Sequence, residues 1–344
     1  MRVPRIAYLL LLCASLAGVS TATSPASPTH DLRQIGMVNI PGSPGFAGAA
    51  FANGMLLLSH PGASAVDVFD PVRRRVVAEI VGLQSPRGLA VDGKAGRLYI
   101  ADHGSNSIVV VAFEGWKVID SIALHGSPDA LLLTGEDKLY WTDADAETLS
   151  LLDLHTKQDV ARVELGGRPR SLAWDAQRHI VFATLQDAHQ IVAIAPGSSD
   201  SQLNIVSRFS LSASQPTSLI YDPQYHELYT SVRFAVLAVN ADTGAEVSRV
   251  AAPVGVDSLW LDPDSRTLYA ASEGSLLVMQ AKGQLSKVDE IETAGIKGDI
   301  VAFDAEKNIV LVPGGGQGQS KLLILRPTSP NAQPSANDTD ARVR

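Results

Sequence analysis

Pro86-Arg87-Gly88-Leu89-Ala90-Val91-Asp92, followed by Arg97-Leu98-Tyr99-Ile100-Ala101-Asp102, decides the fold, because the chain repeats it. The pattern returns as Pro169-Arg170-Ser171-Leu172-Ala173-Trp174-Asp175 with His179-Ile180-Val181-Phe182-Ala183-Thr184. Pro216-Thr217-Ser218-Leu219-Ile220-Tyr221-Asp222 with Glu227-Leu228-Tyr229-Thr230 is a third copy. Val256-Asp257-Ser258-Leu259-Trp260-Leu261-Asp262 with Thr267-Leu268-Tyr269-Ala270 is a fourth, and Pro128 opens a fifth. Weaker copies open at Pro44 and Gly298. The openings at 44, 86, 128, 169, 216, 256 and 298 are spaced by 42, 42, 41, 47, 40 and 42 residues. A period of this size marks propeller blades or helical arrays.

The interior of each unit separates the two. Short runs of Val, Ile, Leu and Tyr alternate with Gly, Asp, Asn and Pro turns, which is strand chemistry. No segment after the N-terminal leader keeps a helical period over ten or more residues. The second unit divides into four strands: Gly88 to Val91, Arg97 to Ala101, Ser107 to Ala112 and Lys117 to Leu124. An Asp closes the first strand, where its carboxylate can cap the following turn. The last unit supplies Ile300 to Phe303, Ile309 to Val312 and Leu322 to Leu325, and then meets Pro327. It lacks a fourth strand, and Leu32 to Ile40 is the piece that completes it. Such closure removes the open sheet edge. The expectation is an all-β, seven-bladed β-propeller of four-stranded blades, closed by the N-terminal strand pairing into the last blade.

Outside residues 31–326 the composition changes. Arg2 and Arg5, the apolar run Ile6 to Leu12, and the small residues before Ala22 predict a signal peptide over residues 1–22. Its apolar run is shorter than the roughly 20 residues a membrane span needs. The lone Cys13 lies inside it behind Leu12, a poor lipobox residue, so lipidation is the lesser alternative. Residues 23–30 read as a flexible leader and 327–344 as a disordered tail that carries the sequon Asn337-Asp338-Thr339. A mature chain without cysteine excludes a disulfide scaffold, thiol catalysis and thiolate metal sites. The formal charge of −8 disfavours nucleic acid as a partner. A secreted or periplasmic monomer without a membrane span is expected.

The stretch Leu98-Tyr99-Ile100-Ala101-Asp102-His103-Gly104-Ser105-Asn106-Ser107-Ile108 resembles the central motif of YVTN/YncE-like, NHL-type repeat propellers of bacterial envelopes. Leu139-Tyr140-Trp141-Thr142-Asp143 also resembles the YWTD repeat of receptor propellers, but only in one unit and without their cysteine-rich neighbours. The bacterial resemblance covers about residues 31–326 and implies a propeller; many such proteins look like binding modules or have no assigned role, so function by this route is a fold-level analogy.

Propellers commonly bind at one end of the central channel. The residue after each opening belongs there: Gly45, Arg87, Asp129, Arg170, Thr217, Asp257 and Asp299. The corners between second and third strands add His60, His103, Asp143, Gln186, Arg233 and Glu273, and His125 lies in a neighbouring loop. Arg87, His103, Asp129, Arg170, Arg233, Asp257 and Asp299 are the ligand-binding candidates. Arginine forks there suit a carboxylate. The bland reading is solvated charge and blade-to-blade ion pairing.

No cofactor is expected, and a divalent cation is the alternative, on Asp129, Asp257, Glu273 and Asp299. That set would make the protein a metal-dependent hydrolase or lactonase of the propeller type. His103, beside Asp102, is the best candidate base. Asp143-Ala144-Asp145-Ala146-Glu147 has the alternating acids of a calcium loop but lacks its glycine and its closing glutamate. Gly314-Gly315-Gly316-Gln317-Gly318 looks like a phosphate loop, but no helix follows, so a flexible turn is expected. Trp116, Trp141, Trp174 and Trp260 are expected in blade packing. The primary expectation is a non-enzymatic module whose ligand, a protein, a peptide or a small polar molecule, sits at the channel mouth.

Overall fold

The computed structural model describes residues 32–135, 137–197, 199, 201–298 and 300–327. The signal peptide, Cys13, the leader, the sequon and the tail expected from the sequence lie outside the described residues. So does Asp299.

The described chain is an all-β propeller of four-stranded antiparallel blades. Short 3-10 turns at Pro61–Ala63, His103–Ser105 and Glu114–Trp116 are its only helical elements among the described residues. The second unit shows why the sequence takes this form. Its strands run Pro86–Asp92, Arg97–Asp102, Ser107–Ala112 and Lys117–Ala123. The two middle strands are buried almost throughout, because neighbouring blades cover both their faces. The outermost strand meets water, and most of its residues are exposed. Asp92 Oδ1 accepts the amides of Lys94 and Ala95, so the acid that ends the first strand caps the next turn. Asp175 and Asp222 do the same for Gln177 and Gln224.

The expectation of seven separate blades needs correction. Five four-stranded sheets stand alone, spanning 48–80, 86–123, 131–164, 169–210 and 219–251. The remaining strands form one seven-stranded sheet. The strand Leu285–Lys297 runs past its own unit and turns through Ala294 and Gly295, both at positive φ. Lys297 then pairs with Gly315 of the strand Ile309–Gly316. That contact fuses the sixth and seventh repeats. Within this sheet the strand Thr267–Ala281 folds back on itself, since the Ala281 amide donates to the Arg266 carbonyl at 2.8 Å.

Gly314–Gly316 is not the flexible turn the sequence suggested. These glycines are strand residues opposite Lys321, Ser320 and Gln319, and only Gln317 and Gly318 turn. Bare Cα atoms are needed there: a Cβ on Gly314 would lie 2.6 Å from Gly298 Cα and from the Lys297 carbonyl. The closing strand is where the sequence put it. Leu32–Ile40 pairs antiparallel with Gln319–Pro327, from Leu32 opposite Pro327 to Ile40 opposite Ser320.

The core is a set of apolar layers between consecutive sheets rather than one centre. Leu57, Val66 and Val68 of the first blade pack with Leu98, Ile100 and Val109 of the second. Leu56, Leu58 and Phe69 pack with Leu311, Leu322 and Ile324, which closes the ring.

Candidate functional site

The first strands of the units line the channel, and polar bonds join them around it. The Gly88 amide donates to the Asp129 carbonyl at 2.8 Å. Thr217 Oγ1 donates to the Val256 carbonyl at 2.8 Å. Ser218 Oγ accepts from the Leu259 amide and Ser258 Oγ from the Val301 amide. These bonds hold the openings in one ring.

At that end lies a cavity of about 490 Å³. Arg87, Asp129, Arg170, Thr217 and Asp257 line it, all taken from the position after a repeat opening. Gly45 lies instead in an adjoining cleft with Lys297 and the glycine strand. The corner residues His103, Arg233 and Glu273 do not line the cavity. Arg233 is exposed, with its guanidinium 5.2 Å from the Phe234 ring centroid. Glu273 is exposed beside Gly255.

The charges of the mouth differ in their partners. Asp129 is 11% exposed; it pairs with the Arg87 guanidinium and accepts the Ala144 amide at 3.0 Å. His103 Nδ1 lies 3.4 Å from the same carboxylate and has no hydrogen bond. Its sequence neighbour Asp102 does not orient it. That carboxylate accepts the amides of Gln84 and Ser85 and the Ser105 hydroxyl. The Asp102–His103 pairing suggested by the sequence is therefore absent. Arg170 and Asp257 have no ion pair or side-chain hydrogen bond among the described residues.

No group of three or more His, Cys, Asp or Glu residues able to hold a metal ion occurs among the described residues. Asp129 is engaged by Arg87, and Glu273 stands away from the cavity, so the four-acid set does not assemble from its described members. Asp143 is buried and accepts the amides of Ser127, Asp145 and Ala146, which is capping rather than ion binding. His60, a corner candidate, is fully buried in a pair with Asp67. His125 is exposed.

The cavity also holds residues that sequence reasoning missed. Phe46, Pro61, Leu259, Trp260, Ile300 and Val301 add large apolar lining to the charged residues. Trp141 is fully buried and Trp174 packs beside Tyr140, as blade packing requires. Trp260 packs against two apolar layers, as expected, and also lines the cavity. Counting back two residues from the capping Asp, the four other units that have one carry Ala90, Ala173, Ile220 and Ala302 where this one carries Trp260. That break in side-chain size was the available signal.

Residues 83–111 match the NHL repeat family. The chain is 28% identical over 208 residues to the uncharacterized protein YncE of Salmonella typhi and 27% identical to that of Salmonella typhimurium. Each match covers 58% of this chain, and the chain spans 57% of the length of the curated relatives it matches. Among solved structures, a chain of the mitotic checkpoint complex superposes with a TM-score of 0.73 at 13% identity, covering 92% of this chain and 98% of that one. Hydrazine synthase of Kuenenia stuttgartiensis gives 0.70 at 13% identity, covering 85% and 98%. These structural likenesses speak to fold alone. The sequence motif, the family match over residues 83–111 and the relatives agree in making this β-propeller similar to YncE-like, NHL-repeat propellers.

Proposed function

We propose that this protein is a non-enzymatic binding propeller of the periplasm or the cell exterior, holding a peptide, a protein segment or a small polar molecule at the channel mouth. One observation carries the reading. Of the charges lining the cavity, Arg87 and Asp129 satisfy each other, whereas Arg170 and Asp257 have no partner among the described residues. Arg170 is exposed and Asp257 half-buried, so both charges are open to a ligand that brings an opposite charge. We also read the seven-stranded sheet as filling two of seven positions around the channel, since the apolar layer between Leu276 or Val278 and Val310 or Val312 repeats the layers between separate blades. The pairing of Asp129 with Arg87 weighs against a metal-dependent hydrolase, as the guanidinium occupies the carboxylate an ion would need.

A thermal-shift screen of the mature chain against peptides, sugars, amino acids and lactones tests the proposal. A ligand bound only by the folded state raises the melting temperature by mass action. The expected result is a shift that Arg170→Ala or Asp257→Ala removes. A shift indifferent to both substitutions would place binding elsewhere and refute the reading.

A further inference from the structure

We infer that the channel mouth is shaped for an aryl carboxylate of the aromatic amino-acid type, its ring on Trp260 and its carboxylate at Arg170; this rests on the binding reading above. The cavity is amphipathic by position. Its charged and hydroxyl-bearing residues come from the second to sixth units, and its large apolar ones from the sixth, the seventh and the first. A purely polar ligand would leave the apolar side wet, and a purely apolar one would bury Arg170 unpaired.

Trp260 lines this cavity while packing against the apolar layers on either side of it. It also bounds a second cavity, of about 540 Å³, shared with Tyr221, Pro223 and Arg266. The Phe51 ring meets Trp260 edge-on, with centroids 5.7 Å apart and planes at 90°, which fixes the indole while leaving it half-buried. Phe46 adds a second ring at the rim, itself stacked on buried His60 at 4.1 Å. Ala90, Ala173 and Ala302 at the equivalent positions show that the blade itself does not require an aromatic there.

At the rim, the Ser218 and Ser258 hydroxyls already accept amides of neighbouring units, and Thr217 Oγ1 donates to the Val256 carbonyl. They serve the scaffold. The Arg170 guanidinium has no partner among the described residues, and its planar fork matches a carboxylate. Asp257, two units further round, offers a counter-charge for an amine. A volume of about 490 Å³ falls within the range of small-molecule sites.

N-acetyl-L-phenylalanine and N-acetyl-L-alanine are the probes, titrated into the mature chain with tryptophan emission and melting temperature as readouts. The phenylalanine probe is expected to shift both, and the alanine probe to bind about tenfold more weakly or worse, for want of the buried ring. Trp260→Phe should keep binding by melting temperature and lose the emission change. Trp260→Leu and Arg170→Gln should each weaken binding about tenfold or more; far-UV circular dichroism confirms that each folds, and if Trp260→Leu does not, the emission difference between the wild type and Trp260→Phe carries the test. Equal binding of both probes, or an emission change that survives in Trp260→Phe, overturns the inference and leaves a polar binding site standing. Binding of neither probe also overturns it, and the binding reading falls as well only if the wider screen finds no shift dependent on Arg170 or Asp257.

Discussion

His60 and Asp67 face each other 2.7 Å apart, Nδ1 to Oδ2, with 0% and 1% of their side chains exposed. The other ring nitrogen lies 2.8 Å from the Ser43 carbonyl and 3.2 Å from Ser320 Oγ. One buried imidazole thus ties the first blade to the loop that follows the closing strand and to the strand it pairs with. Removing one partner of a buried hydrogen-bonded pair leaves the other unsatisfied and costs about 1–3 kcal/mol. His60→Ala should lose stability on that scale in denaturant titration. Amides of Leu32–Ile40 should also exchange faster with solvent, relative to those of Leu219–Asp222. An equal loss of stability with no change in that strand would deny His60 a role in closure.

Gly88 sits where two inner strands approach. A Cβ there would lie 2.5 Å from the Asp129 carbonyl oxygen and 2.9 Å from the Leu131 amide nitrogen. Gly88→Ala must push the second and third blades apart at the mouth. We expect a loss of about 1–3 kcal/mol, typical of overpacking, and weaker ligand binding. A variant as stable as the parent would mean that the inner ring is looser than these distances.

Tyr229 has one phenolic proton and two carboxylates, Asp222 at 2.9 Å and Glu227 at 3.0 Å. Arg266 pairs with Asp222. Burial pushes the Glu227 carboxyl above its ordinary range; the Tyr229 hydroxyl opposes this and the Asp222 charge adds to it. A carboxyl raised in the folded state contributes stability that is full below its unfolded value and lost as pH rises through its folded one. Glu227→Gln should therefore melt roughly 2 °C higher than the parent at pH 7. The gap should close on acidification into the carboxylate range. A variant that melts lower throughout would show that the charged form is the one stabilised.

Phe234 adopts φ 67° in a two-residue turn and is 56% exposed. The matching turn of the next unit has Gly274, at φ 101°. A bulky side chain in the left-handed region costs about 1–2 kcal/mol. Phe234→Gly should hold or raise the melting temperature, and Phe234→Val should lower it. The reverse order would imply that the Arg233 contact outweighs the strain.

Calcium, manganese and zinc should leave the melting temperature unchanged, because Arg87 already occupies Asp129. A chelator-sensitive rise abolished by Asp257→Ala would revive the metal reading.

The repeat was legible because each unit contains its own strands and turns. Ser107–Ala112 and Leu32–Ile40 run as their residues predict. The mouth was legible for the same reason: a residue after each opening must land near the axis, as Arg87, Asp129, Arg170, Thr217 and Asp257 do. The corner residues Glu273 and Arg233 were misplaced because a hairpin turn carries side chains to the rim rather than the axis. Local sequence determined strands, turns and the register of the ring, since those depend on neighbours within about ten residues. Tertiary structure alone decided that Lys297 would pair with Gly315 and merge two units, that Arg87 would take Asp129 while Arg170 found no partner among the described residues, and that Trp260 would line the cavity as well as pack between layers. Those outcomes depend on side-chain direction and on contacts between distant strands, which no periodicity encodes.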